Sequence, residues 1–543
     1  MSKIFCIGDL NTDLFLYTEQ HAQIDVEKSV PKTNLVIGGN AANTAMALGG
    51  LKQDVSIVSI AGDDAFTGFL ESELKRGGVK PLLEKNKEKN GISVIFVARN
   101  GKRGILSNKG SLLEMNQKLV EKQLLGRIRE NDIAYFGGYY HIPKMRKNFK
   151  ALLEKIKRKK AKVFFDTTYD EYEKWELLPF IKQIDVLFAN EIELKKIAKK
   201  NETKKAVRFL LAKGAKKIVV KNGEKGAALF TKSIELRSQA IKVKAVNTTG
   251  AGDFFNAGFA YGKLNNYSDK VSLMCANFVA GKKTEHEEYF LPTKTMLEEH
   301  LKEKEFLDVR NVNSYEEMSK MAAREIIQQL WEKPNSVLAL ASGNTPIGTY
   351  RELVKEYRKG NADFSKARFI ELDEYMNIEN PKNSLANTFL AKNFVEKVNF
   401  RKKNILYFDP YKSFATQKKK FDSFIKRNGI DFCLLGMGEN AHIAFNEPGT
   451  KFSTEIRVVE LSKSTKRINS HGMKEKIPEK AITLGLKTIF SAKKIVLIAS
   501  GIKKAGAIRK IVKGKIFELV PASILQKHRN TMIITDKQAG KFV

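Results

Sequence analysis

The stretch Asn247-Thr-Thr-Gly-Ala-Gly-Asp253-Phe-Phe-Asn-Ala-Gly258 decides how the first half of the chain is read. A Gly-Ala-Gly turn that enters an apolar helical segment leaves the first main-chain N–H groups of that helix free and pointing outward. Free amides and the helix dipole together make a site for an anion. Asp253 stands in its mouth. Phosphoryl transfer needs little more than a base for a hydroxyl proton and donors for the spreading negative charge. Alone, a Gly-x-Gly favours the plainer reading of a helix cap after a glycine turn, so the surroundings must decide.

Several neighbours point the same way. Val36-Ile-Gly-Gly39-Asn40-Ala-Ala-Asn43 is a second glycine-rich entry to a helix. Gly8-Asp9-Leu-Asn11-Thr-Asp13 ends an apolar strand with small polar groups suited to sugar hydroxyls. Gly62-Asp-Asp64 and Asn190-Glu-Ile-Glu193 follow two further strand-like runs. The strands are read at Ile4 to Ile7, Val55 to Ile60, Ser93 to Ala98, Val163 to Asp166, Val186 to Ala189 and Lys217 to Lys221. Amphipathic segments such as Glu191 to Lys200 lie between them. Alternating β and α predicts a mainly parallel sheet covered by helices on both faces.

This set, in this order, resembles the ribokinase-like sugar kinases, the phosphofructokinase-B family, over roughly residues 1–295. The resemblance implies a ribokinase-like α/β sandwich and an ATP- and Mg²⁺-dependent kinase. It makes Asp253 the catalytic base and Gly250, Ala251 and Gly252 the anion hole. Asp13, Gly39, Asn40 and Asn43 would bind the sugar. Asn190 and Glu193 would help place the magnesium–nucleotide, with Glu193 acting on the metal indirectly. Lys221 and Gly223 would lie near the nucleotide phosphates and Asn277 near the adenine. Two departures stand out. Asn247 replaces an Asp associated with monovalent-cation binding in some members, and Lys221-Asn222 replaces a small or apolar pair.

The alternation ends near Pro292. A charged helical stretch, Thr293 to Phe306, marks a junction or the last helix of the first domain, and a new unit begins at Leu307. The expected domains are 1–300 and 307–543. In the second, Ser314 stands three residues before Glu317, ahead of Met318, Met321, Ala322 and Ile326. This is a capping box opening an amphipathic helix. Strands are read at Val309 to Val312, Val337 to Ala341, Ala367 to Leu372, Phe432 to Leu435 and Ile495 to Ala499. The class is again α/β.

The second half has its own chemical constellation. Leu435-Gly-Met-Gly438-Glu-Asn440-Ala-His442-Ile-Ala-Phe-Asn-Glu447-Pro-Gly449 empties a strand into a glycine turn and presents His442 and Glu447. Ser342-Gly343-Asn344-Thr345-Pro346 leaves a strand and enters a helix, where amides and hydroxyls suit a phosphate. It lacks the lysine of a P-loop. Leu372-Asp373-Glu374-Tyr375 places carboxylates at another strand end. Ligands bind at such ends in open α/β sheets.

These pieces resemble glucosamine-6-phosphate deaminases from about Val309 onward, with a Rossmann-like doubly wound fold. The run after His442 separates them from the related 6-phosphogluconolactonases. The resemblance implies that Asp373 shuttles a proton between C2 and C1, that His442 opens the sugar ring with Glu447, and that no metal is needed. It puts the phosphate on Gly343, Asn344, Thr345, Arg467 and Lys504. Here too there are departures: Asn440 stands where the family has an Asp bonded to the histidine, and Ala441 replaces a glycine. An Asn can hold the ring but select the wrong tautomer.

Bulk composition fits two folded enzymes. The chain has 543 residues, 42% hydrophobic and 29% charged, too many for one core and too apolar for disorder. Cys6, Cys275 and Cys433 form no CxxC pair, which fits a reducing compartment without disulfides or structural zinc. With no signal-peptide pattern and no long apolar run, the cytoplasm is the expected location. Lys+Arg 96 against Asp+Glu 61 gives +35. The basic runs are scattered and lack interleaved aromatics, so a lysine-rich surface facing anionic small molecules is favoured over specific nucleic-acid binding.

The expectation is a bifunctional amino-sugar enzyme that phosphorylates a sugar, glucosamine at its 6-hydroxyl first, and converts glucosamine 6-phosphate to fructose 6-phosphate and ammonia. A rival order has the deaminase feed a fructose-6-phosphate kinase; extra cations near the sugar site, with Arg103 and Lys109 as candidates, would mark it. A further rival makes the second domain a sugar-phosphate sensor. Sugars and sugar phosphates are the expected partners, with no membrane, and a homo-oligomer the expected assembly.

Overall fold

The computed structural model describes the chain apart from residues 1, 19–26, 28, 99–102, 171–172, 233, 288–289, 303–305, 379–383, 385–388 and 462–477. It forms two compact units, Met1–Lys304 and Glu305–Val543.

In the first unit the described residues build a nine-stranded sheet. Its order is Glu235–Ser238, Ala227–Phe230, Ile218–Lys221, Val186–Asn190, Lys162–Asp166, Ile133–Gly137, Ile4–Gly8, Val55–Ala61 and Lys80–Lys85. Ala227–Phe230 pairs antiparallel with both of its neighbours; all other neighbours are parallel. Parallel strands are covered on both faces and so read as continuous apolar runs. Val55–Ala61 is buried along its whole length. Successive side chains point to opposite faces. Phe164 and Phe188 accordingly meet Phe259, at 6.3 and 5.5 Å, while Phe165 meets Phe149 at 6.1 Å on the other side.

The strand read at Ser93 to Ala98 does not join this sheet. Gly91–Ala98 belongs to a separate four-stranded sheet, ordered Lys32–Gly38, Asn11–Thr18, Gly91–Ala98, Arg103–Asn108. Its burial is partial, because one face only is covered. The charged junction segment forms the helix Lys294–Lys302 and packs on the first unit. Leu297 and Leu301 are buried, Tyr261 donates to Glu298 at 2.8 Å, and His300 stacks on Phe278 at 4.2 Å.

The second unit carries a seven-stranded, wholly parallel sheet. The order is Asp308–Val312, Thr531–Asp536, Ile495–Ala499, Phe432–Leu435, Val337–Leu340, Arg368–Glu371, Ile405–Leu406. Strand order reverses between Val337–Leu340 and Phe432–Leu435, the place where doubly wound sheets open a crevice. A small antiparallel sheet joins Asp373–Tyr375, Lys480–Thr483 and Arg457–Glu460. The helix Tyr315–Glu332 opens on Ser314, whose hydroxyl accepts from Glu317 N at 3.2 Å. The return half of the box lands one residue earlier, with Asn313 N donating to Glu317 at 3.0 Å.

The three cysteines are free and buried. Burial pushes the Cys6 and Cys433 thiols well up. Among the described residues no helix is long and apolar enough to cross a membrane.

Candidate active sites

Gly250 adopts φ 73, a left-handed conformation that suits glycine, and the helix Ala251–Leu264 begins at once. The Ala251 N–H turns back onto Thr248 O at 3.2 Å, while the amides of Gly252 and Asp253 have no partner among the described residues. The open donors thus lie one residue further on than the glycine turn itself suggests. A Cβ at Gly252 would stand 3.5 Å from Lys221 Nζ, so that ammonium overhangs the turn. Lys221 is anchored by Asp166 at 2.7 Å. Burial opposes its charge, but Asp166 and Glu193 outweigh burial and hold its pKa above the usual lysine value.

Asp253 is buried, and Asn43 Nδ2 donates to its carboxylate at 2.9 Å. Burial, followed by the nearby Asp166 charge, raises its pKa well above the ordinary range. A carboxylate so placed is a strong proton acceptor. Thr44 donates to the Asp253 carbonyl at 3.2 Å, and Asn256 donates to Tyr135 OH at 3.0 Å, fixing the helix start from beneath.

Asp13 and Asn43 share an open cleft with Gly250 and Lys283. Burial lifts Asp13 to about 6 despite a 2.6 Å bond from Asn11 Nδ2. Gly38 lets Asp13 sit close, because a Cβ would fall 2.2 Å from the Asp13 carboxyl carbon and displace that side chain. Gly39 takes φ 102 beside the Asp9 carbonyl. Asn40 turns to Asp9, donating at 2.7 Å, and Ala41 N donates to the same carboxylate at 2.9 Å. Asp9 therefore organises the glycine loop, a role the sequence reading missed; its place at the end of the first strand was the available signal.

Of the residues expected near a nucleotide, Asn190 and Glu193 form a complete capping box. Glu193 N donates to Asn190 and Asn190 N to Glu193, both at 2.9 Å, and Thr167 donates to the same Glu193 oxygen at 2.6 Å. Asn277 donates to Ser238, to its hydroxyl at 3.0 Å and its carbonyl at 3.1 Å, and Gly223 takes φ 56. Asn247 accepts from Thr249 N at 2.9 Å and donates to the Glu287 carbonyl at 3.2 Å. Among the described residues no three His, Cys, Asp or Glu side chains converge as a metal site.

In the seven-stranded sheet of the second unit all strands point one way, so the loops after them gather at one edge. Gly343, at φ 93, opens the phosphate-type loop. Tyr315 OH accepts from Gly348 N at 2.8 Å and donates to Thr345 O at 3.1 Å, stapling that loop, in which Asn344 is exposed. Lys504 donates to Met437 O at 2.7 Å, joining the loop after Ile495–Ala499 to the Gly436–Gly438 turn. Arg467 lies outside the described residues.

Asp373 is 7% exposed, and burial, then the neighbouring Glu374 charge, lifts its carboxyl to about 7. Glu374 is held by Ser384 Oγ at 2.5 Å and Tyr375 N at 2.7 Å. Buried Glu371, which sequence reasoning passed over, accepts from Phe408 N at 3.0 Å, and burial raises its pKa strongly.

The His442 ring packs on Gly438, where a Cβ would lie 2.2 Å from Cε1. Its Nδ1 is 3.5 Å from Glu447 Oε2 and has no hydrogen-bond partner among the described residues. Asn440 turns from the ring to its neighbours. Its Oδ1 accepts from the His442 main-chain N at 3.2 Å and its Nδ2 donates to Glu447 at 2.8 Å, so the carboxamide is spent away from the imidazole. Ala441 adopts φ 68, a conformation that costs a non-glycine residue roughly 1–2 kcal/mol.

Residues 1–295 match the family model for pfkB family carbohydrate kinases, and residues 313–534 that for glucosamine-6-phosphate isomerases/6-phosphogluconolactonases. A glucosamine-6-phosphate deaminase from Clostridium acetobutylicum is 42% identical over 241 residues, which are 44% of this chain and 100% of that protein. One from Clostridium botulinum is 43% identical over 235 residues, 42% of this chain and 96% of its own length. The crystal structure of a ribokinase from Thermotoga maritima shares the fold of the first unit, with a TM-score of 0.50 and 24% identity over 56% of this chain and 100% of that one. The chain therefore belongs to the pfkB family of carbohydrate kinases through its first unit and to the glucosamine-6-phosphate deaminase family through its second.

Proposed function

We propose that the chain catalyses two reactions: transfer of the ATP γ-phosphoryl group to a sugar hydroxyl, and conversion of glucosamine 6-phosphate to fructose 6-phosphate and ammonia. In the first, Asp253 takes the hydroxyl proton while the Gly252 and Asp253 amides and Lys221 stabilise the charge on the moving phosphoryl group. The residues present fit a magnesium ion carried mainly on the nucleotide phosphates, with Glu193 acting through water. That ion would neutralise phosphate charge.

In the second reaction His442 and Glu447 open the sugar ring, and Asp373 moves a proton between C2 and C1. Water then adds to the imine and ammonia leaves. The observation that carries this reading is the buried Asp373 carboxyl, lifted to about 7 at the end of a strand beside the crevice. Such a group gives and takes a proton near neutrality. The test is ammonia release from glucosamine 6-phosphate by the full chain without ATP, against an Asp373→Ala control. Release equal to the control would refute it.

Two kinase acceptors would share an intermediate with the deaminase. Glucosamine would be phosphorylated first and deaminated second; fructose 6-phosphate would arrive from the deaminase.

A further inference from the structure

A buried ion pair in the first unit reaches across an intervening strand. Asp166 ends the strand Lys162–Asp166, Lys221 ends Ile218–Lys221, and Val186–Asn190 runs between them. Neighbouring strands lie about 4.8 Å apart, so the two side chains close a gap of roughly 10 Å. They meet with Lys221 Nζ 2.7 Å from Asp166 Oδ1, and Asp166 is 2% exposed. Three carboxylates act on the ammonium, those of Asp166, Glu193 and Asp253, and Asp166 is the one that bonds it.

Such a pair adds little to stability, because taking both charges out of water offsets most of their attraction. Its placement points to the site instead. Glu193 is already engaged by Thr167 and by the Asn190 N–H. The bond to Asp166 keeps the ammonium over the glycine turn, 3.5 Å from where a Cβ at Gly252 would stand. A lysine has three N–H donors and this bond takes one, so the others can meet a phosphate. The Asp166 charge also reaches the base. Asp253 faces the charges of Asp166, Lys221 and Asp9, and the Tyr135 hydroxyl, which burial keeps neutral, faces both Asp166 and Asp253. Of those charges Asp166 acts most strongly on Asp253 and opposes its ionisation.

We propose that Asp166 is a positioning residue for phosphoryl transfer: it aims the Lys221 ammonium at the moving group and keeps a negative charge beside Asp253. The proposal rests on the kinase reading above and adds a residue to it. In the step itself Asp253 takes the hydroxyl proton, the acceptor oxygen bonds to the γ-phosphorus, and the bond from that phosphorus to the departing ADP breaks. Asp166 neither gains nor loses a proton. Without it the ammonium is left to Glu193, and Asp253 loses the neighbour that makes it avid for a proton.

The test measures ADP formation by the full chain across pH, with glucosamine, fructose 6-phosphate and further sugars as acceptors, the fastest being kept. Asp166→Asn should lower kcat about 100-fold, the scale of losing one aimed donor. The acid limb of its kcat profile should move at least about one unit to lower pH, because the like charge that favoured protonated Asp253 is gone. A lost structural contact would lower the rate at every pH and leave that limb in place. Asp166→Asn leaves a buried lysine unpaired, so a double variant, Asp166→Asn with Lys221→Met, removes both charges and guards against misfolding. Its kcat should match that of Lys221→Met within about 3-fold, because the aim acts through Lys221. Its acid limb should lie below that of Lys221→Met. Wild-type kcat in Asp166→Asn, or acid limbs that stay in place in both Asp166 variants, would overturn the role of Asp166 and leave the kinase standing. No ADP from any sugar or sugar phosphate with the wild-type chain would overturn the kinase reading, and the role of Asp166 with it.

Discussion

The Asn440 carboxamide donates to the Glu447 carboxylate at 2.8 Å, across the position from which Glu447 would otherwise serve the His442 ring. That carboxylate is left 3.5 Å from Nδ1, beyond hydrogen-bond reach. The amide thus steadies Glu447 while weakening its hold on the imidazole.

Asn440→Asp removes this donor, frees Glu447 toward the ring and adds a second carboxylate beside it. In a serine-protease triad the Asp-to-Asn change costs about 10⁴. Here Glu447 remains, so a smaller gain is expected, with ammonia release rising about 10-fold. Initial rates from glucosamine 6-phosphate check it, and an unchanged or lower rate would count against this account of the triad.

The deaminase rate should fall with acid from about neutrality. Asp373, lifted to about 7, must be ionised to accept the C2 proton, so kcat/KM should drop roughly tenfold per pH unit below that value. The stability consequence has the opposite sign. The folded state keeps a proton that the unfolded chain loses near 3.8, so stability declines as pH rises from about 4 to about 7. Asp373→Asn should therefore raise the Tm of the second unit at pH 8 and leave it unchanged at pH 4.

The kinase should not require potassium. Asn247 donates its side-chain N–H to the Glu287 carbonyl, and it brings no negative charge to a cation. Rates in potassium and in tetramethylammonium chloride at equal ionic strength should agree within about 2-fold, and Asn247→Asp should separate them.

Gly438→Ala would drive a methyl group into the His442 ring. Displacing an acid–base group costs catalysis heavily, so ammonia release should fall at least about 100-fold. Phosphoryl transfer by the first unit should be unaffected, which separates a local effect from misfolding.

Legibility in the sequence followed the range of the physics. Strands such as Val55–Ala61 and Phe432–Leu435 are short apolar runs, and burial on both faces writes them plainly into the chain. The catalytic candidates sat in local motifs, at strand ends in the second unit and at a helix start for Asp253. What stayed hidden depends on distant partners. Arg103 is a candidate in the sequence, but its partner Thr249 lies 146 positions away, and nothing marks Lys283 among 96 basic residues until its burial is seen. Likewise Asn440 has one family-like neighbour in His442, but only the folded loop shows its carboxamide turned to Glu447.

The buried thiols make the chain its own unfolding probe. Cys6 and Cys275 lie in the first unit and Cys433 in the second, all shielded in the folded state. Reaction with a chromogenic disulfide reagent therefore waits for each unit to open. Two cysteines report on one half and one on the other. A single time course, with peptide mapping of the labelled sites, would rank the opening of the kinase against that of the deaminase without a tag or a cut in the chain.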